Sequence, residues 1–391
     1  MRYTRSLGHG VRVLTSDYRE DPVRDEEDPD VHRTLRWYWD LERYEFPRLS
    51  LLERMRLERH NAAELRRHLR AYHPHVVAWW SMGCMSLSLI EQVRRKLPAA
   101  FIVHDDWLVY GWERDQWIHT WSGPRRGRLA PFAERLCGIP ARVELSDAGR
   151  FVFNSRYTLE QARAKRGDLP GASVVHPGVD ESFLEPLLTQ PWSWRLACIG
   201  RLDRMKGVDT AVAALAQLPP EATLTVWGSG DARYIAEVRA LAGKLGVAER
   251  VTFRGFARDQ ALRRAYRDAD VVVFPARWNE PFGLVPLEAM GLGRPVVTTV
   301  RGGTAEFVRD GENALVFAAD DAPGLAACVQ RLAGDAGLRS QLRDQGLRTA
   351  GRYTAAQFAR RTVDEIVRAA SPAGVRTGQP EAARLASLGG R

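Results

Sequence analysis

The stretch Asp270–Val297 reads DVVVFPARWNEPFGLVPLEAMGLGRPVV. It opens with three valines and a phenylalanine, an apolar run too short for a helix and without polar alternation. Such a run is a strand buried on both faces. Pro275 closes it, a loop carries Glu280, Pro281, Phe282 and Gly283, and a helix follows to about Gly291 before RPVV opens another run. Strand, loop, helix and strand in that order make a βαβ unit, which requires a parallel sheet with helices packed on its faces.

Similar apolar runs recur along the chain. They are VRVL from Val11, HVVAWW from His75, AAFIVH from Ala99, RFVFN from Arg150 and SVVHPG from Ser173. RLACIG from Arg195, TLTVWG from Thr223, RVTFRG from Arg250 and RPVVTT from Arg294 continue the series. Amphipathic segments at Ser50–Ala71, Gly207–Leu218, Ala232–Leu245 and Gln260–Arg267 separate many of them. The class is therefore α/β, and 391 residues suffice for two domains. The expected boundary lies in Asp180–Arg195, where two prolines and no periodicity suggest a linker. This gives a first domain over 1–186, a second over 187–353, a final helix over 354–370 and a disordered tail over 371–391. The acidic segment Glu20–Asp30 reads as a solvated loop. At the start, Gly8–Gly10 resembles a helix end ahead of the first strand, so the expectation is that the first βα unit of a doubly wound domain is missing, through a misassigned start codon or natural loss.

Charged residues are 27% of the chain and hydrophobic ones 45%, ordinary globular values that exclude a disordered protein. Four cysteines with no CxxC pair argue against a zinc site or disulfide framework and fit a reducing compartment, so the expected location is cytoplasmic. The net charge of +9 is carried almost wholly by arginine, with only four lysines: Lys96, Lys165, Lys206 and Lys244. The plain reading of this is codon bias from a GC-rich genome. An anionic partner is the sharper explanation, and with no nucleic-acid-binding signature present, phosphates on a small ligand or lipid are favoured over nucleic acid. The helix from Glu53 is strongly basic on its polar face, consistent with either a solvated surface or peripheral contact with an anionic membrane.

Chemistry concentrates where strands end, because ligands of open parallel sheets bind at the carboxyl ends. After RLACIG comes GRLDRMKGVD, in which Gly200 permits a sharp turn, Arg201 offers a planar fork to phosphate oxygens, and Lys206 adds a compact charge. The amides of Gly283, Leu284 and Val285 open the next helix, and a helix N-terminus favours a diphosphate. Glu280 and Glu288, eight apart, are carboxylates suited to sugar hydroxyls. Gly302 and Gly303 in RGGTAEFV, and GSGD at Gly228–Asp231, allow close backbone approach to a ligand.

The spacing of GRL-x3-KG, GSG, EPFGLVPLEAMG and GG-x2-E resembles the family 4 retaining glycosyltransferases of the GT-B fold. FNSRYT from Phe153, HPGVD from His176 and VTFRGF from Val251 extend the likeness, which runs from Gly10 to Ala370. The resemblance implies two Rossmann-like domains facing a cleft, with a nucleotide diphosphate sugar held mainly by the second and a hydroxyl acceptor by the first. It implies that Arg201 and Lys206 contact the diphosphate, Glu280 the transferred sugar and Glu288 the ribose. Gly200, Gly228, Phe282, Gly283, Leu284, Val285 and Gly303 would line the donor, without a metal or other cofactor. The helix Thr354–Ala370 would return to the first domain.

In the first half, His104 at the end of AAFIVH matches a cleft-facing histidine of that family, near the reacting sugar. Gly83, Asp105, Asp106, Trp107 and Tyr110 are acceptor-side candidates, within an aromatic and acidic stretch that runs on through Trp112, Asp115 and Trp117. Two neighbouring aspartates also suit metal in another glycosyltransferase class, but the strand-end HD pattern fits the metal-independent family. Alternatives to transfer are a GT-B isomerase or sugar-nucleotide hydrolase, or a non-catalytic nucleotide-sugar-binding protein. A dehydrogenase would need GxGxxG after a first strand, and no such unit is present.

Overall fold

The computed structural model describes residues 1–18, 28–40 and 45–371. Most of the Glu20–Asp30 loop and nearly all of the 371–391 tail lie outside the described residues. The chain forms two compact units. The first comprises 1–153, 161–173 and the chain from Arg360 onward; the second comprises 154–160 and 174–359.

In the first unit, β1 (Val13–Ser16) pairs in parallel with β2 (Val31–Leu35). A four-stranded sheet has the order β3 (Val77–Trp80), β4 (Ala99–Val103), β5 (Arg150–Phe153) and β6 (Ser173–Val174). Every residue of β4 is buried, as its unbroken apolar sequence demands. The basic helix covers Leu51–Tyr72, within a residue of the expected span, and begins with a capping box between Ser50 and Glu53.

The second unit holds six strands: β7 (Arg195–Ile199), β8 (Thr223–Trp227), β9 (Val251–Gly255), β10 (Val271–Phe274), β11 (Val296–Thr298) and β12 (Leu315–Val316). Their spatial order is β12-β11-β10-β7-β8-β9, all parallel. The strand order reverses between β7 and β10, which is where a doubly wound sheet opens its crevice for ligands. The four residues of β10 are all buried, with Val272 paired to Val296 on one side and to Ala197 on the other.

The stretch 180–195 is not a free linker: Phe183, Leu184 and Leu187 pack on the core built around Leu287 and Met290, and the Leu187 amide donates to the Leu292 carbonyl at 3.0 Å. Trp192 and Trp194 cover the core beside β7. Apolar residues placed without helical or strand period still bury area when an extended chain lies along a helix. The second unit accordingly takes in the chain from Val174, ahead of the expected boundary at 186/187.

The final helix, Ala355–Ala370, starts in the second unit and passes into the first at Arg360. Its buried Glu365 accepts from the Arg150 guanidinium at 2.8 Å, within the first unit.

Candidate functional site

In the second unit, the loops after β7, β8, β10 and β11 are tied together by main-chain contacts. Leu202 and Gly230 form a parallel bridge, with the Leu202 amide donating to Ser229 at 2.9 Å and the Asp231 amide to Leu202 at 2.8 Å. Gly228 has φ +141°, and a Cβ there would lie 1.8 Å from the Gly200 carbonyl oxygen, so only glycine fits. On the other side Glu280 and Gly302 form a second bridge, and the Gly303 amide donates to the Glu280 carbonyl at 2.7 Å. A Cβ on Gly303 would meet the Pro281 carbonyl oxygen at 2.2 Å.

Between these zipped loops a crevice is lined by Gly200, Arg201, Leu202, Lys206, Phe274 and Pro275, at the carboxyl ends of β7 and β10. The Lys206 ammonium donates to Glu280 Oε1 at 2.5 Å and stands 5.4 Å from the ring centres of both Phe274 and Trp278. Glu280 is 5% exposed, and its same oxygen accepts the Trp278 indole N–H at 2.6 Å. A carboxylate taken out of water must be paired, and Lys206 and Trp278 do this jointly. Trp278 was not singled out from the sequence, although it stands two residues before Glu280 in the same loop.

Arg201 is exposed and forms an ion pair with Asp203. Asp203 in turn accepts the Met205 amide at 2.9 Å, which fixes the turn that delivers Lys206. Behind it Arg277 donates to both oxygens of Asp209, at 2.7 and 2.5 Å, to the Arg204 carbonyl at 3.0 Å and to Asp320. Burial raises the Asp209 carboxyl, but the Arg277 and Tyr234 hydrogen bonds outweigh it and hold the group below its ordinary range. This clamp ties the loop after β10 to the helix after β7, and nothing in the linear order of residues marks it.

Gly283 caps the helix Leu284–Gly291, and no described side chain accepts from its first amides. Those donors belong to the orphan set of any helix start. Phe282, by contrast, is 2% exposed, stacks on His176 and packs at a tilt against Phe307 and Tyr353, so it holds the loop in place with its ring. Glu288 lies one turn further in, half-buried, bonded by the Tyr266 hydroxyl, and burial raises its carboxyl. The last element of the GG-x2-E motif, Glu306, accepts from His176 Nε2 at 2.6 Å and from the Arg156 amide at 2.7 Å. The motifs FNSRYT, HPGVD and GG-x2-E thus meet within this unit. Burial raises the Glu306 carboxyl, and its His176 partner more than offsets this.

The first unit gathers its own candidates at the ends of β3 and β4. Tyr110 donates to Asp105 Oδ2 at 2.8 Å, and a Cβ on Gly83 would lie 2.1 Å from the Tyr110 hydroxyl oxygen. His104 sits 5.3 Å from Trp80 between ring centres, and burial lowers its pKa to about 4, so the imidazole is neutral near pH 7. Burial, opposed by the Tyr110 and Trp107 hydrogen bonds, raises the Asp105 carboxyl; burial and then the charge of Asp105 bring Asp106 up to about 6.

Three aromatic and acidic candidates are structural instead. Trp107 is fully buried and stacks between Phe101 and Trp112. Asp115 is buried, accepting the Leu87 amide at 2.7 Å and the Ile118 amide at 2.9 Å. Trp117 is buried, its indole donating to the Pro140 carbonyl at 2.8 Å. Their spacing is that of helices packing on the sheet, a period the sequence shares with a ligand-facing aromatic stretch.

The family description "Glycosyltransferase Family 4" matches residues 1–183, and "Glycosyl transferases group 1" matches residues 194–335. The chain is 34% identical over 236 residues to the D-inositol 3-phosphate glycosyltransferase of Mycobacterium sp. (strain KMS), 54% of each chain. It therefore spans about half the length of such curated relatives. Among solved structures, sucrose-phosphate synthase from Thermosynechococcus elongatus superposes with a TM-score of 0.66 at 22% identity, over 93% of this chain and 91% of that one. The Anabaena protein HepE, solved with UDP and glucose, gives 0.61 at 19% identity over 82% and 84%.

Proposed function

The chain belongs to the group 1, family 4 glycosyltransferases, and on that premise we propose that it moves a glycosyl unit from a nucleotide diphosphate sugar to a hydroxyl acceptor with retention of anomeric configuration. Its fold is GT-B, two α/β domains built on parallel sheets. The observation that carries the reading is the Lys206–Glu280–Trp278 cluster at the switch point of the second sheet.

As the bond between the anomeric carbon and the diphosphate oxygen breaks, negative charge grows on the diphosphate and positive charge on the sugar. In this reading Lys206 and Arg201 meet the leaving charge, together with the amides of Gly283, Leu284 and Val285. An arriving diphosphate competes with Glu280 for the Lys206 ammonium, which releases Glu280 to accept from hydroxyls of the transferred sugar. Glu288 accepts from the ribose, and Gly200, Gly228 and Gly303 let backbone lie against the donor. The base is that of a UDP- or GDP-sugar, a choice to which HepE with UDP lends support. Since cationic side chains supply the charge, we expect no divalent metal in the step.

On the acceptor side the reading uses Gly83, His104, Asp105, Asp106 and Tyr110. Neutral His104 can accept a hydrogen bond from an acceptor hydroxyl, or donate one to it, without carrying a charge of its own. No protein nucleophile is appointed.

The test is a thermal-shift panel of UDP-, GDP- and ADP-sugars on the whole chain, followed by product analysis with and without added acceptors. Stabilisation by one donor, and a glycosylated product of unchanged anomeric configuration, is the expected result. Release of free sugar that no acceptor suppresses would assign a hydrolase. Donor binding without turnover would assign a nucleotide-sugar-binding protein.

A further inference from the structure

The helix Ala130–Cys137 of the first unit leaves its apolar edge uncovered. Leu129, Phe132 and Leu136 are 57%, 69% and 76% exposed, against only Ala130 buried on that element. Positions i, i+3 and i+7 share one edge of a helix, so the three form a single stripe. The helix is nonetheless firmly built. Gly138 closes it in the left-handed conformation, and Glu134 reaches forward to accept the Ala141 amide at 2.7 Å.

Around the stripe stand Arg125, Arg126, Arg128, Arg135 and Arg142, all exposed. None of the five forms an ion pair with a described carboxylate, whereas Arg94, Arg150, Arg195 and Arg277 of the same chain all do. Glu134, the one acidic residue from 125 to 142, spends an oxygen on its own backbone. Three large apolar side chains inside a ring of arginines that no described carboxylate neutralises, Arg142 donating only to the Gly127 carbonyl, are complementary to a surface that is apolar within and anionic at its boundary. A second copy of this chain fits poorly. A two-fold contact lays a patch on itself, so the arginine rings would meet like against like.

We propose that this edge docks the protein on an anionic lipid bilayer, Leu129, Phe132 and Leu136 entering the interfacial layer and the arginines pairing with lipid phosphates. The site differs from the basic Leu51–Tyr72 helix and does not depend on the transferase reading. No described helix is long and apolar enough to cross a membrane, so the contact is one of surface docking.

The experiment is co-sedimentation of the whole chain with vesicles of phosphatidylcholine alone, and of equal parts phosphatidylcholine and phosphatidylglycerol. Binding is expected to the mixed vesicles only and to weaken as salt rises. The pair Phe132→Ser with Leu136→Ser should lower partitioning about tenfold or more. Each of Arg125→Ala, Arg126→Ala and Arg128→Ala should lower it about fivefold. These positions are exposed, so circular dichroism and melting temperature should stay as in the parent. Absence of binding to mixed vesicles, equal binding to both, or indifference to the Phe132 and Leu136 changes would overturn the proposal. So would sedimentation velocity showing a dimer that Phe132→Ser abolishes, which would assign the stripe to self-association, or capture of an acidic protein in place of lipid.

Discussion

Lys206 and Glu280 lie 74 positions apart in the chain and meet at 2.5 Å, one from the turn after β7 and the other from the loop after β10. Each is mostly buried, and each is the other's counter-ion. The pair marks the point where the second sheet changes winding direction, and it sets the charge that an incoming anion must negotiate.

Lys206→Ala and Arg201→Ala are each expected to lower turnover of a donor by about 10²–10³, the usual cost of losing one contact to developing negative charge. The effect belongs in kcat rather than in the melting curve for Arg201, which is exposed. Steady-state kinetics beside thermal denaturation checks it. Parental rates from either variant would remove the leaving-group argument.

Gly228→Ala should destabilise the second unit by about 1–3 kcal/mol, the scale of a residue forced into a sparsely populated backbone region. Its added Cβ would lie 1.8 Å from the Gly200 carbonyl oxygen, so the loop after β7 must shift. A lower melting temperature together with weaker donor binding is the expected outcome. A variant that melts with the parent would mean the two loops are not coupled.

The pH dependence of stability holds two opposed contributions. His104 has a folded pKa near 4, below the ordinary histidine value. The unfolded chain therefore binds the extra proton first, and this contribution is complete above about pH 6.5 and lost as pH falls towards 4. Asp106 has its folded pKa raised to about 6, above the ordinary aspartate value, so its contribution runs the other way, with stability falling as pH rises from about 4 to 6. Asp106→Asn should leave the histidine dependence alone. The melting temperature of that variant should climb more steeply between about pH 4 and 6 than the parent's. A shallower climb would contradict the assignment.

Arg150→Ala should cost about 2 kcal/mol, less than the loss of a fully buried pair, because Arg150 is partly exposed while Glu365 is not. Denaturant unfolding measures it. Arg368 still donates to Glu365 Oε1 at 2.6 Å after that change, so Glu365→Gln in the Arg150→Ala background should shift stability by less than Arg150→Ala alone.

The second unit was largely legible in the sequence, because buried parallel strands leave unbroken apolar runs and strand ends carry their glycines and prolines in view. Glu280, Lys206 and Gly303 could be picked out on that ground. The partners that hold them could not. Nothing in a linear reading joins Asp209 to Arg277, or His176 to Glu306, since these pairs are made by tertiary approach. The stretch Phe183–Trp194 misled for a related reason, as chain that packs in extended form carries no period to detect. Trp107, Asp115 and Trp117 misled in the opposite direction, because a core of aromatic residues on short helices has the composition of a sugar platform.

The chain passes from one unit to the other near residues 153, 160, 173 and 359, so each unit is assembled from pieces that are not neighbours in the polypeptide. No single cut yields two complete halves. A fragment ending at 186 would lack the segment that brings Glu365 to Arg150, and one beginning at 187 would lack His176 and the amides that Glu306 receives. Chimaeras with relatives therefore need matched exchanges at every passage, and a one-crossover hybrid would inherit mismatched partners on both sides of its junction.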